Sequence, residues 1–248
     1  MTISDLKRTL RQNGVCYMAG LLLLLLLKIY YSQAGVNGLA WILAPTTRLV
    51  SLLGGISFEF DAHLGYVNHD YRFIIAPACS GVRFLTVVFA MLLFSFVHRF
   101  SQKRTKYLWL SGSLFFSYGF TLVVNAVRIT LSIFLPALME RAGLFRKLLT
   151  PQRLHTLLGT ILYFSALLFL YTVTQRILSA RSHIPAPYFL IPALWYLLLV
   201  LILPLLVRIL KRNLSGMEEF TVMILICSSA VTALFFLVDR LVRKWMRQ

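Results

Sequence analysis

Long apolar runs separated by short polar or basic stretches dominate the sequence pattern of this chain. A helix that crosses the hydrocarbon core of a bilayer needs about 20 mostly apolar residues. Six runs meet or approach that length, so the pattern predicts an all-α fold, a polytopic membrane helical bundle of about six transmembrane helices. The predicted spans are residues 14–31, 80–97, 107–125, 155–174, 188–208 and 219–238.

Three further stretches complete the predicted architecture. Residues 36–53 are apolar but contain a proline and an arginine, which favours a re-entrant or interfacial segment over a crossing. Residues 56–75 alternate apolar and polar side chains in places, which predicts a short hairpin in a loop region at the outer face. Residues 129–139 are too short to span alone, so we expect the helix of residues 107–125 to continue through them.

The composition supports a membrane protein. The chain is 59% hydrophobic and 13% charged, whereas soluble domains average about 45–50% apolar and about 25% charged residues. Its 25 Lys and Arg stand against 8 Asp and Glu, for a formal charge of +17. These bases lie between the apolar runs rather than in one patch. We therefore expect contact with anionic membrane lipids and no nucleic-acid partner.

The distribution of Lys and Arg predicts an orientation. The loop 98–106 and the C-terminal residues 239–248 are the clearest basic stretches, and cytoplasmic segments are enriched in these residues. The basic N-terminus is followed by a long apolar stretch with no small-x-small cleavage site, so we interpret it as a retained anchor. Six spans with both termini inside place the loop 54–78, the end of helix 107–128 and the start of helix 155–174 at the outer face.

The first candidate for chemistry is the stretch PACSGVRF, residues 77–84, at the start of the second span. A helix N-terminus offers free backbone N–H groups and a positive dipole end, both of which stabilise a thiolate at Cys79. Arg83 follows at i+4, on the same face of a continuous helix. Ser80 and Gly81 are small enough to leave backbone amides open to an oxyanion. A boundary cysteine packed against a turn is the competing interpretation.

Two other features lie in later spans. Arg128 in NAVRIT, residues 125–130, is a charge in an apolar run, which faces a polar site or reaches the headgroups. His155 opens the apolar stretch LHTLLGTILYF, residues 154–164, and suits general acid–base work or a purely interfacial position. The predicted topology places Cys79, Arg128 and His155 at one membrane depth on one face, which favours a shared site.

The motifs ACSGVRF, NAVRI and HTLLGTILYF, in that order and on separate helices, resemble the exosortase/archaeosortase family of integral-membrane cysteine transpeptidases. The resemblance implies Cys79 as nucleophile, Arg128 as its charged partner and His155 as acid/base. Arg83 lies outside these three roles, and we expect it to bind substrate or to take whichever role Arg128 does not fill. The resemblance covers roughly residues 10–175, within a predicted catalytic membrane domain of residues 1–175. Residues 176–248 form a C-terminal pair of transmembrane helices outside the resemblance, which we interpret as a subtype extension.

The same resemblance implies a function and a location. The enzyme would cleave the C-terminal sorting tail of exported proteins, made of a short motif such as Pro-Glu-Pro, an apolar helix and a basic cluster. It would transfer them through a thioester to an acceptor at the outer face of a bacterial cytoplasmic membrane. No cofactor or metal is implied.

Three other functions fit parts of the sequence. In a transporter or lipid-binding scaffold, the intramembrane Arg and His would line a substrate path, and Cys79 would be dispensable. A metalloprotease would use His63, His69 and Cys79, but their spacing matches no zinc motif. An aspartyl peptidase would need a pair of intramembrane Asp residues, which is missing from the sequence.

Overall fold

The structure is a computed structural model that describes residues 3–141, 151–178, 190–210, 212 and 217–245. It divides into two compact units, Met1–Phe134 and Leu135–Gln248, and the boundary falls within the fourth helix. The helices are α1 Ile3–Gln33, α2 Ala40–Gly54, α3 Val82–Phe96, α4 Lys103–Arg141, α5 Pro151–Leu178, α6 Leu190–Leu197, α7 Leu203–Leu210 and α8 Met217–Trp245.

Six helical stretches are long and apolar enough to cross a membrane, which confirms the all-α polytopic helical bundle. They correspond one by one to the six predicted spans. α4 has 39 residues, and about 1.5 Å of rise per residue makes it roughly 58 Å long. That is about twice the ~30 Å hydrocarbon core of a bilayer. The expected continuation of this helix through residues 129–139 is therefore confirmed.

α3 is the central helix of the first unit. Of its apolar window, 78% is buried, against 11% for the window in α1. The Nε1–H of Trp109, early in α4, donates to the carbonyl of Leu92, late in α3. Asn125, late in α4, reaches the turn that precedes α3. These two contacts show that α3 and α4 run antiparallel, so the start of α3 and the later part of α4 lie at one end of the unit.

The short helix α2 docks onto α4 through its own proline. α2 has 15 residues with Pro45 inside, and a proline lacks the N–H that would bond the carbonyl four residues earlier. That carbonyl belongs to Trp41, and it accepts a hydrogen bond of 2.7 Å from the hydroxyl of Tyr118 on α4. The two rings also stack with centroids 5.6 Å apart. With 15 residues, α2 is shorter than the about 20 that a membrane-spanning helix needs, which agrees with the predicted re-entrant or interfacial segment at residues 36–53.

Between α2 and α3 the chain forms a small antiparallel sheet in the order β1-β2-β3. Its strands are β1 Glu59–Asp61, β2 Gly65–Asn68 and β3 Phe73–Ile75. The prediction of a single hairpin over residues 56–75 is therefore wrong by one strand. Strands of three or four residues are too short for alternation to reveal them separately. Tyr66 and Phe73 pack against the buried cluster that contains Ile75, which fixes the sheet on the helices.

The second unit contains α5 to α8. Phe164 of α5 and Tyr196 of α6 pack with ring centroids 5.1 Å apart. The span predicted at residues 188–208 is not one regular helix, because a π-helical segment, Leu198–Ile202, separates α6 from α7. Pro204 lies two residues after the end of that segment and has no N–H to donate to the carbonyl of Val200. The predicted division into residues 1–175 and 176–248 rests on the family resemblance and stays a prediction.

Candidate functional site

Cys79 lies in a single 3₁₀ turn, Pro77–Cys79, between β3 and α3. Pro77 opens the turn, and the N–H of Cys79 donates to the carbonyl of Ala76 at 2.8 Å. Gly81 follows as the N-cap of α3 with φ of 77°, a left-handed conformation that costs a residue with a Cβ about 1–2 kcal/mol. The local sequence therefore places the thiol just outside the helix rather than within its first turn.

The turn is held against α4 by Asn125. The Nδ2–H of Asn125 donates to the carbonyl of Cys79 at 2.7 Å, and Asn125 is fully buried. A Cβ at Gly81 would lie 3.0 Å from Asn125 Nδ2 and 3.0 Å from Thr121 Cγ2. Glycine is thus required at position 81 both by the backbone angle and by the close approach of α4. Two short motifs that are 46 residues apart in sequence meet at this contact.

Arg128 lies on α4 one turn beyond Asn125. Residues at i and i+3 share a face of a helix, so Arg128 and Asn125 lie on the side of α4 that carries the Cys79 contact. Arg128 is 8% exposed, within the candidate span Lys103–Pro136. A buried arginine in an apolar span is costly and typically serves a functional site. The Oγ of Ser132 donates to the carbonyl of Arg128, which adds a polar contact to this stretch of α4.

Two buried hydroxyl groups border the same turn. Ser80 precedes Gly81, and Thr121 contributes the methyl group that limits position 81. Ser80 Oγ and Thr121 Oγ1 are both enclosed and find no hydrogen-bond partner within the described residues. Buried polar atoms are nearly always paired in proteins. The inner side of the Cys79 turn therefore holds two unpaired polar atoms that are closed off from solvent.

The structure corrects the expectation that Arg83 shares a helical face with Cys79. Cys79 is outside α3, and the left-handed Gly81 breaks the helical geometry between the two residues. Arg83 is the second residue of α3, and its side chain is exposed. It therefore lies at the surface beside the turn, where its side chain is accessible to a bound molecule.

His155 lies near the start of α5, four residues after Pro151, and is half-buried. It belongs to the second unit, whereas Cys79, Asn125 and Arg128 belong to the first. The structure brings Cys79 and the NAVR motif together, and the approach of His155 to Cys79 stays a prediction from the sequence.

Exposure distinguishes Cys79 from the other two cysteines. Cys16 and Cys227 are buried at 3% and 8% exposed, as expected for small apolar residues inside helices. All three are free thiols, and Cys79 alone is partly exposed. A thiol that attacks another molecule must be reachable, so Cys79 is the candidate nucleophile.

The acidic and histidine residues of the sheet region do not form a metal site. The described part of the chain holds no group of three or more His, Cys, Asp or Glu side chains placed to bind one ion. His69 contacts Glu59 at 3.7 Å, and both side chains are largely exposed. The arrangement proposed for a metalloprotease, with His63, His69 and Cys79, is not found among these residues.

Asn125 has a role in the site that the sequence analysis does not identify. It was visible as a polar amide within an apolar helix, one turn before Arg128. A buried amide must be hydrogen-bonded, but the sequence does not show that its partner is the carbonyl of Cys79.

Comparison of the chain with protein-family models, with curated proteins and with solved structures finds no match.

Proposed function

We propose that the protein is a membrane-embedded cysteine transpeptidase of the exosortase type. It cleaves the C-terminal sorting tail of exported proteins at the outer face of a bacterial cytoplasmic membrane and transfers them to an acceptor. The observation that carries the proposal is the hydrogen bond from Asn125 to the carbonyl of Cys79. It joins two of the three motifs of the resemblance in one place, around the reachable thiol.

The chemistry begins with attack of the Cys79 thiolate on the scissile carbonyl of the tail. The resulting tetrahedral oxyanion collapses to a thioester as the C–N bond breaks. His155, in the role implied by the resemblance, protonates the leaving amine. It then removes the proton from the acceptor nucleophile, which attacks the thioester and releases the thiolate.

Arg128 supplies positive charge one helical turn from Asn125, the residue that contacts the Cys79 turn. Its planar guanidinium has three candidate roles: to stabilise the thiolate, to stabilise the oxyanion, or to hold a substrate carboxylate through two parallel hydrogen bonds. Its burial supports each role, because electrostatic interactions are stronger away from bulk water. Arg83, exposed at the start of α3, serves substrate binding from the surface.

Cleavage of a tailed test protein tests the proposal. The substrate is an exported protein that ends in a Pro-Glu-Pro motif, an apolar helix and a basic cluster, co-expressed with the enzyme. Replacing Cys79 with alanine removes the nucleophile, so cleavage should be lost. Cys227→Ala is the matched control, since it removes a buried thiol in α8 and should leave cleavage intact. Continued cleavage by Cys79→Ala would reject the enzyme and favour the transporter alternative.

A further inference from the structure

The strand β3 is an edge of the small sheet. Its one neighbour is β2, and in the described part of the chain no strand pairs with its other side. The edge of a sheet presents backbone N–H and C=O groups that are not used within the sheet. Another extended backbone can pair with such groups, which is how several domains bind peptides. β1 is the opposite edge and offers an internal comparison.

The edge of β3 leads directly to the candidate nucleophile. β3 ends at Ile75, and Cys79 follows four residues later in the 3₁₀ turn. Ile74 is 40% exposed, Ala78 is exposed, and Cys79 is half-buried. A molecule that lies along β3 therefore approaches the thiol along accessible residues of the same chain segment.

Two arginines flank this path. Arg72 precedes β3 and Arg83 follows Cys79, and both are exposed. No carboxylate among the described residues lies within ion-pair distance of either one. Arg72 also has a φ of 49°, a left-handed conformation where glycine or asparagine is the usual residue. Residues in sparsely populated backbone regions cluster at functional sites, which makes Arg72 a candidate for a contact with substrate.

We propose that the free edge of β3 binds an extended segment of the substrate that carries a carboxylate side chain, next to the scissile bond. Backbone pairing with β3 supplies the alignment, and the carboxylate complements the charge of Arg72 and Arg83. This inference rests on the proposed function, since it identifies the substrate surface of the same site.

The length of the path fixes where the bound segment lies. Ile74 and Cys79 are five residues apart in sequence, which corresponds to at most roughly 18 Å of extended chain. The intervening 3₁₀ turn shortens that distance. A substrate residue paired with Ile74 should therefore be within about five residues of the cleaved bond.

Site-specific photocrosslinking tests the inference. A photoreactive residue replaces Ile74 on β3 or, as the matched control, Phe60 on β1, which is 52% exposed. Crosslinking to the tailed test protein is measured in the Cys79→Ala background, which retains uncleaved substrate. Cleavage is measured in the same variants with Cys79 intact. We expect Ile74 to crosslink within about five residues of the cleavage site, and Phe60 not to crosslink.

The outcomes separate this inference from the proposed function. Cleavage without a crosslink from Ile74, or with equal crosslinks from Ile74 and Phe60, would overturn edge binding and leave the transpeptidase in place. A crosslink specific to Ile74 without cleavage would show that the tail lies along β3, but it would reject the transpeptidase and the placement next to a scissile bond. Absence of both cleavage and crosslink would reject both.

Charge reversal tests the carboxylate. Arg72→Glu should lower the cleavage rate of the tailed protein roughly fivefold, the effect of one exposed ion pair. A tail in which lysine replaces the acidic residue of the motif should restore part of the rate with the Arg72→Glu enzyme. Equal rates for both enzymes on both tails would show that Arg72 does not pair with a substrate carboxylate, which would overturn that part of the inference.

Discussion

Gly81 is the residue at which backbone conformation and helix packing meet. Its φ of 77° belongs to the left-handed region, and a Cβ there would lie 3.0 Å from atoms of Thr121 and Asn125. Both neighbours are fully buried, so neither can withdraw easily. The position of the Cys79 turn on α4 therefore depends on the absence of one methyl group.

We predict that Gly81→Ala lowers both stability and cleavage. The left-handed angle costs alanine about 1–2 kcal/mol, and overpacking against α4 adds about 1–3 kcal/mol. Unfolding in detergent and cleavage of the tailed protein measure the two effects.

Two other glycines separate the causes of that effect. Gly55 has a φ of 64° with open space at its Cβ, and Gly119 of α4 has open space and a helical backbone. Gly55→Ala should lower stability while cleavage by the folded fraction persists. Gly119→Ala should lower neither stability nor cleavage. If Gly81→Ala cleaves as well as Gly55→Ala, contact with α4 does not position the nucleophile.

At the scale of elements, α2 depends on a hydrogen bond that its own backbone cannot form. Pro45 leaves the Trp41 carbonyl without its helical partner, and Tyr118 supplies the replacement at 2.7 Å. The bond holds a helix too short to cross the membrane against α4, the helix that carries Asn125 and Arg128. The packing of α2 thus supports the element that holds the site.

Tyr118→Phe should destabilise the first unit by about 1 kcal/mol, because the ring stacking stays while the Trp41 carbonyl loses its donor. Tyr107→Phe, on the same helix with an exposed side chain, is the matched control and should change stability little. Thermal unfolding in detergent compares the two variants. Equal unfolding temperatures for Tyr118→Phe and Tyr107→Phe would show that the carbonyl does not need the tyrosine.

The sequence predicted the spanning helices well and their interactions poorly, for a physical reason. Hydropathy is a local property, so an apolar run is visible wherever it occurs. The bond from Asn125 to Cys79 joins positions 46 residues apart, and periodicity along a helix does not encode it. The left-handed Gly81 was also hidden, because a glycine in sequence fits both a continuous helix and a break. That ambiguity is why the sequence predicts that Arg83 lies on the same helical face as Cys79.

For the whole molecule, the proposed orientation follows from the basic loop. In the first unit the antiparallel α3 and α4 place the loop 98–106 at the end opposite the Cys79 turn. If basic segments stay in the cytoplasm, the site and the sheet face outward. The six-span bundle alone is compatible with either orientation.

Cysteine labelling in cells tests the orientation in a Cys79→Ala background. We expect an impermeant thiol reagent to label a cysteine placed at the exposed His63 of the sheet and to miss one placed at the exposed Gln102. Permeabilised cells, in which both positions should react, are the control. Labelling at Gln102 alone from outside would show the opposite orientation, in which the site lies on the cytoplasmic side, away from exported substrates.

The most direct test of the central claim is capture of the thioester on Cys79. Brief incubation of the purified protein with the tailed substrate, followed by acid quench and peptide mass spectrometry, should show the substrate acylated onto the peptide that contains Cys79. Hydroxylamine should release it, as expected for a thioester. Cleavage of the tail with no hydroxylamine-sensitive adduct on Cys79, or with the adduct on another residue, would contradict the account.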